Sequence, residues 1–138
     1  MRLRSSPLLF CAGAWSPAVD NQDQWIQADL ITTHRIESVT TQGKPEGGWS
    51  ICWTKSYFVS YSRDGTSWVE ISTLFTANED LNTKKTNRLP DNIVARYIRL
   101  LPNSWETYIC MRFDVTGCAV TGTMSLYALV TVHVMPFL

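Results

Sequence analysis

Four cysteines, two histidines and a scatter of carboxylates and amides are the residues of this chain with chemical potential. Cys11, Cys52, Cys110 and Cys118 contain no Cys-x-x-Cys pair, so they read as disulfide cysteines rather than a zinc site. Disulfides persist in oxidising surroundings, which implies an extracellular or luminal chain. His34 stands beside a strand start and His133 lies in an apolar tail. Gly-x-Ser-x-Gly, His-Glu-x-x-His and phosphate-cradling glycine motifs are absent, and no carboxylate pair stands out for glycoside chemistry. The residues therefore predict a non-enzymatic chain without a cofactor. Asp20, Asn21 and Asp23, or Asn78, Glu79 and Asp80, offer oxygens of the kind calcium takes. Neither run has the spacing of a calcium loop, so both are read as solvated turns and no metal is expected.

Lys plus Arg and Asp plus Glu each number 12, for a formal net charge of zero. Such a balance argues against a nucleic-acid partner, which demands a basic excess to neutralise phosphates. A local cation can still meet an acidic head group or a sugar. The length of 138 residues suits one domain, and the 45% apolar content can fill its core.

These groups must be positioned by strands, because no segment shows 3.6-residue periodicity over a dozen residues. Residues 15–23 read as a loop. Trp25 to Leu30 alternates, with Ile26, Ala28 and Leu30 inward. A second strand, from about His34 to Gln42, has Ile36 and Val39 three apart, which predicts a bulge near Ser38. Gly43 to Gly48 is a glycine-rich loop, followed by Trp49, Ile51, Cys52 and Trp53. Ser56 to Ser62 puts Tyr57, Val59 and Tyr61 on one face. Asp64-Gly65 signals a hairpin, and Trp68 to Ile71 returns from it. Residues 76–92 read as a long polar connection with at most a short edge strand. A strand around Ala95–Leu100 and another from Cys110 are expected to be joined by a turn at Pro102. In the last strand Ile109, Met111, Phe113 and Val115 share the core face, while Cys110, Arg112, Asp114 and Thr116 face water. Short strands at this spacing predict an all-β antiparallel sandwich or jelly-roll barrel.

The ends are the least domain-like parts. Residues 1–14 imitate a signal peptide, with two Arg, an apolar run and Ala12-x-Ala14, but the run is about 6 residues against the usual 7–15. Residues 119–138 carry no Asp, Glu, Lys or Arg. They read as an extra hydrophobic strand or an appendage, with a marginal membrane anchor as the other reading, since about 20 residues can span a bilayer.

Several motifs stand in one order: Trp15-Ser16-Pro17, Trp25-Ile26-Gln27-Ala28-Asp29-Leu30, Thr41-Gln42-Gly43, Ser56-Tyr57, Tyr61-Ser62-x-Asp64-Gly65-x-x-Trp68, Ala95-Arg96-Tyr97-Ile98-Arg99-Leu100 and Arg112-x-x-x-x-Gly117-Cys118. The chain thereby resembles a discoidin domain, also called a coagulation factor 5/8 type C domain, over residues 13–118. The resemblance implies a distorted antiparallel jelly-roll β-barrel, galactose-binding-domain-like. It also implies a non-catalytic extracellular module whose ligands include phosphatidylserine-containing membranes, glycans and matrix proteins such as collagen. Two departures are evident. The family's usual first segment, which opens with a Cys, is replaced by an atypical residue 1–12 segment, and the tail after residue 118 matches nothing in the family.

The resemblance also bears on the cysteines and on the ligand. If the loops before Cys52 and Cys110 share one end of the barrel, these two can pair. They lie 58 residues apart, worth about 3–4 kcal/mol in the chain-entropy model; two free thiols are the alternative. Cys118 normally pairs with the distant first Cys, so either Cys11 substitutes for it or Cys118 is unpaired. The loop 43–53 corresponds to a ligand-contacting spike. Lys44, Glu46, Trp49 and Ile51 are its candidate binding residues, either at a bilayer interface with Lys44 near an acidic head group or with Trp49 stacked on a sugar. Trp49 and Ile51 folded back on the core is the competing reading. The expected function is cell adhesion or surface attachment through a cell-surface glycan, an anionic phospholipid membrane or an extracellular-matrix protein. A carbohydrate-binding accessory module of a glycan-processing enzyme, or a non-functional fragment, are the alternatives.

Overall fold

The computed structural model describes residues 13–45 and 51–120. Five strands carry the described chain: β1 (Ile26–Gln42), β2 (Trp53–Ser62), β3 (Val69–Thr76), β4 (Lys85–Glu106) and β5 (Arg112–Ala119). They pair antiparallel in the order β3-β2-β4-β1-β5, and no helix occurs among the described residues. The expected all-β class stands.

Two long strands organise the rest. β1 and β4 form one antiparallel ribbon from Ile26↔Leu100 to Thr41↔Lys85, with register shifts between Asp29 and His34 and between Ile36 and Ser38. The second shift is the bulge expected near Ser38. The ribbon bends where the first shift falls: Ile31 on β1 (φ 70) and Asn92 on β4 (φ 71) both adopt the left-handed conformation. Below the bend the outer half of β4 pairs with β2, through Ser62↔Tyr97 to Trp53↔Glu106. On the other half β1 pairs with β5, through His34↔Ala119 to Gln42↔Arg112. The same two strands thus serve two layers. Asn87 shows that the layers face each other: it lies on the first half of β4, yet its amide donates to the Tyr57 hydroxyl at 3.1 Å and the Thr76 carbonyl at 2.7 Å.

Between the layers lies one core. Ile26, Ala28, Val39, Val59, Ala95, Ile98, Leu100, Ile109 and Met111 are fully buried, with Tyr57, Ile36, Phe113 and Val115 beside them. Burial at roughly 25 cal/mol per Å² of apolar surface makes this the main stabilising contribution. The inward set expected for β1 and β5 is the set observed. The Asp64-Gly65 hairpin is also present: Gly65 has φ 80, and the Asp64 carboxylate accepts the amides of Thr66 and Ser67, both at 2.8 Å. These bonds hold its carboxyl well below the usual carboxylate range.

Three expectations need correction. The turn placed at Pro102 is not there; β4 runs on to Glu106, and Pro102 pairs with Tyr57 beside a register shift that spares its missing N–H. The chain reverses instead around Thr107 (φ 63). Residues 85–92, read as part of a polar connection, are the first half of β4. Cys110 and Arg112, placed on the water face, are 1% and 8% exposed.

One cluster was not foreseen. The Arg99 guanidinium is sandwiched between the rings of Trp25 at 3.8 Å and Trp68 at 3.7 Å, and donates to Gln27 Oε1 at 2.9 Å. Arg99 pairs with Ser60 in the sheet, and Ser60 and Ser62 are 3% and 2% exposed.

Candidate functional site

β1 ends at Gln42, β2 begins at Trp53, β3 ends at Thr76 and β5 begins at Arg112, all at one end of the molecule. Arg112 ties these ends together. Its Nε donates to the Gly43 carbonyl at 2.7 Å, and its Nη2 donates to the Leu81 carbonyl at 2.9 Å and Asn82 Oδ1 at 3.3 Å. Burial lowers the pKa of its guanidinium. Segment 77–84 therefore lies directly over the start of the loop that follows β1. Asn78 strengthens the clamp by donating to the carbonyls of Thr41 at 3.0 Å and Thr83 at 2.9 Å. Gln42 donates to the Asn82 carbonyl at 2.6 Å. At Gly43 a Cβ would meet the Asp80 carbonyl oxygen and the Trp53 Cβ, each at 2.9 Å, so no larger residue fits there.

The base of the loop is closed by a covalent bond. Cys52 and Cys110 form a disulfide with Cα atoms 5.8 Å apart, inside the range a relaxed bridge requires. Lys44 N donates to the Cys52 carbonyl at 3.1 Å, and Thr54 Oγ1 donates to the Cys110 carbonyl at 3.0 Å. Segment 15–24 joins the same end. Trp15 and Met111 exchange backbone hydrogen bonds at 3.0 Å in both directions, Ser16 Oγ donates to the Ile109 carbonyl at 2.7 Å, and Ile109 N donates to Asp20 Oδ1 at 2.8 Å.

Of the four predicted ligand residues, Lys44 and Ile51 fall among the described residues; Glu46 and Trp49 lie outside them. Ile51 is 60% exposed, so it does not fold back on the core, and Lys44 is half-buried. Val19 is 57% exposed on the segment that Ser16 and Asp20 hold to Ile109. Sequence reasoning passed over Val19 because it sits in a run of Pro, Asn and Asp that reads only as a loop. Four buried polar atoms at this end, Thr41 Oγ1, Gln42 Oε1, Trp53 Nε1 and Asn78 Oδ1, have no hydrogen-bond partner among the described residues.

Two of the residues considered for calcium accept hydrogen bonds within their own turns. Asn21 Oδ1 accepts from Asp23 N and Gln24 Nε2, and Asp80 accepts from Asn82 N, Thr83 N and Thr83 Oγ1. His34 is buried with Nδ1 2.7 Å from the Thr32 carbonyl. Cys11 lies outside the described residues. Cys118 is buried in no disulfide among the described residues; its thiol donates to Glu37 Oε1 at 3.5 Å, and burial pushes its pKa up.

Comparison with known proteins matches this geometry to a family. The chain is 36% identical over 110 residues to coagulation factor VIII of Canis lupus familiaris, covering 76% of this chain and 5% of that protein. It is 34% identical over 110 residues to lactadherin of Rattus norvegicus, covering 76% of this chain and 26% of that protein. The chain thus spans a small part of these relatives. Among solved structures, recombinant discoidin II of Dictyostelium discoideum superposes with a TM-score of 0.70 at 28% identity, covering 78% of this chain and 42% of that one. The model of the F5/8 type C domain matches residues 6–115. With its ordered motifs, its bent antiparallel sheet and this match over most of its length, the chain belongs to the F5/8 type C, or discoidin, domain family.

Proposed function

We propose that the end of the barrel carrying loop 43–53 binds an anionic phospholipid surface, in an extracellular, non-catalytic role of adhesion or surface attachment. The observation that carries this reading is the exposure of two aliphatic side chains there: Val19 is 57% exposed and Ile51 60%. Aliphatic groups held out at one end gain little in water and about 0.8 kcal/mol for each methylene that enters a bilayer. Lys44, on the same loop as Ile51, supplies the cation that meets an acidic head group in this reading. Trp49, which follows the glycines of that loop in the sequence, is of the residue type that concentrates in the interfacial layer, and Glu46 belongs to the same loop sequence. The two ends of the loop are anchored, Gly43 by Arg112 and Cys52 by the disulfide to Cys110, which supports the reading by fixing where the loop leaves the barrel. The disulfide also suits an oxidising compartment.

The test is sedimentation with vesicles of phosphatidylserine and phosphatidylcholine, against pure phosphatidylcholine, alongside a glycan array. Wild type is expected to sediment with the phosphatidylserine vesicles. Val19→Ser/Ile51→Ser and Trp49→Ala are each expected to weaken that binding about tenfold while the melting temperature holds. Retention of a defined glycan without vesicle binding would sink the membrane reading in favour of a lectin-like one.

A further inference from the structure

The outer face of a two-layered antiparallel fold is ordinarily polar, and on this molecule one stretch is not. Phe58 pairs with Leu101 across β2 and β4. The adjacent residues Val59 and Leu100 are fully buried, so strand alternation turns Phe58 and Leu101 away from the core. Phe58 is 36% exposed, and Leu74 on the neighbouring edge strand is 48% exposed. Between β2, β3 and β4 lies a cleft of about 370 Å³ lined by Phe58, Val59, Glu70, Ile71, Ser72 and Leu101. That is near the small end of ligand pockets, about 300–1,000 Å³, with room for one or two side chains.

Its charge is one-sided. Glu70 is the ionisable group of the lining and makes no ion pair among the described residues. The natural partner on its own sheet is Arg99, because Glu70, Ser60 and Arg99 lie on one cross-strand row. The Arg99 guanidinium is instead held between Trp25 and Trp68 and bonded to Gln27. The stack withdraws the cation and leaves the carboxylate facing an apolar cleft.

We propose that this cleft is a docking site for a segment of a partner protein in which an aromatic or large aliphatic side chain is flanked by a lysine or arginine. The apolar side chain fills the space over Phe58 and Leu101, and the cation pairs with Glu70. The edge beside it does not favour continuous strand addition: β3 is shifted against β2 between Tyr57↔Phe75 and Val59↔Ile71, which leaves residues 72–74 bulged out of the ladder. Side-chain insertion, rather than sheet extension, is the mode this edge allows.

The test uses the full chain, isotope-labelled, with two peptides of opposite flank, acetyl-Lys-Phe-Lys-amide and acetyl-Glu-Phe-Glu-amide. The lysine peptide is expected to shift the amides of Phe58, Ile71 and Leu101 and to bind about tenfold more tightly than the glutamate peptide. Glu70→Lys, an exposed change on an edge strand, is expected to reverse that order. Equal binding of the two peptides, no shift at these amides at millimolar concentration, or an unchanged order in Glu70→Lys overturns the proposal. Sedimentation equilibrium separates the other occupant: self-association abolished by Phe58→Ser would assign the cleft to a second copy of the chain and likewise overturn it.

Discussion

Arg112 brings a positive charge to a position 8% exposed and spends it on three oxygens from two segments, Gly43, Leu81 and Asn82. A buried acceptor stripped of its donor costs about 1–3 kcal/mol, more where the donor was charged. Arg112→Met is therefore expected to lower the unfolding free energy by about 3 kcal/mol in urea titration, with Arg112→Lys recovering part of it. An unchanged midpoint would remove Arg112 from its role as clamp. The strand pattern legible in the sequence placed this residue opposite Phe113 and Val115, and that alternation is correct. What alternation cannot show is that a distant segment, 77–84, folds over the polar face. The disulfide was legible for a different reason. Cys52 and Cys110 each follow a loop, and once both loops belong to one end of a barrel the pair is within reach. For Lys44 and Ile51 the sequence indicated the loop, while the exposure of Val19 depends on contacts of Ser16 and Asp20 with Ile109 that no local pattern encodes.

At the scale of the element, the bend in β1 is paid for in backbone strain. Ile31 has φ 70 although it is β-branched, and its side chain is 72% exposed, so no packing compensates. The Asp29 carboxylate holds the conformation by accepting Ile31 N at 2.8 Å while also taking two hydrogen bonds from Arg96, at 2.8 and 2.9 Å. A left-handed conformation costs a non-glycine residue about 1–2 kcal/mol. Glycine removes that cost and gives back part of it as chain entropy. Ile31→Gly is expected to stabilise the protein by about 0.5–1 kcal/mol, a rise of a few degrees in the melting temperature. A fall would mean that the Ile31 side chain makes a stabilising contact. The sequence marks Trp25 to Leu30 and His34 to Gln42 as separate strands because the residues between them break the alternation. They are one strand with an interruption, which only its pairing with β4 reveals. The first half of β4 was hidden for a related reason: Lys85, Thr86, Arg88, Pro90, Asp91 and Asn92 are exposed, and Leu89 alone in that stretch is buried before Ile93.

For the whole molecule, ionisation sets the pH range of stability. Hydrogen bonds from Arg96, with its charge, hold the Asp29 carboxyl below its usual range, and turn hydrogen bonds do the same for Asp64 and Asp80. A depressed carboxylate contributes stability that is present above its unfolded value, about 4, and is lost as pH falls through the folded value. Tyr57 behaves oppositely. Burial pushes its hydroxyl up to about 12, so its contribution is intact below about pH 10 and is lost as pH rises towards 12. Thermal unfolding across pH is expected to show a plateau between about 5 and 9, with an acid slope that Asp29→Asn reduces and an alkaline slope that Tyr57→Phe reduces. A melting temperature that rises below pH 4 would contradict the assignment of Asp29.

The bent ribbon has a kinetic consequence. Because β1 and β4 each belong to both layers, neither layer can assemble and wait for the other. The closing contacts, Ile26 with Leu100 and Thr41 with Lys85, join segments far apart in the chain, so most of the loop-closure entropy is lost before the core returns any of it. The folding nucleus must therefore contain the ribbon, and the hairpin at Asp64-Gly65, the most local strand pairing among the described residues, can form early without committing the chain to its fold.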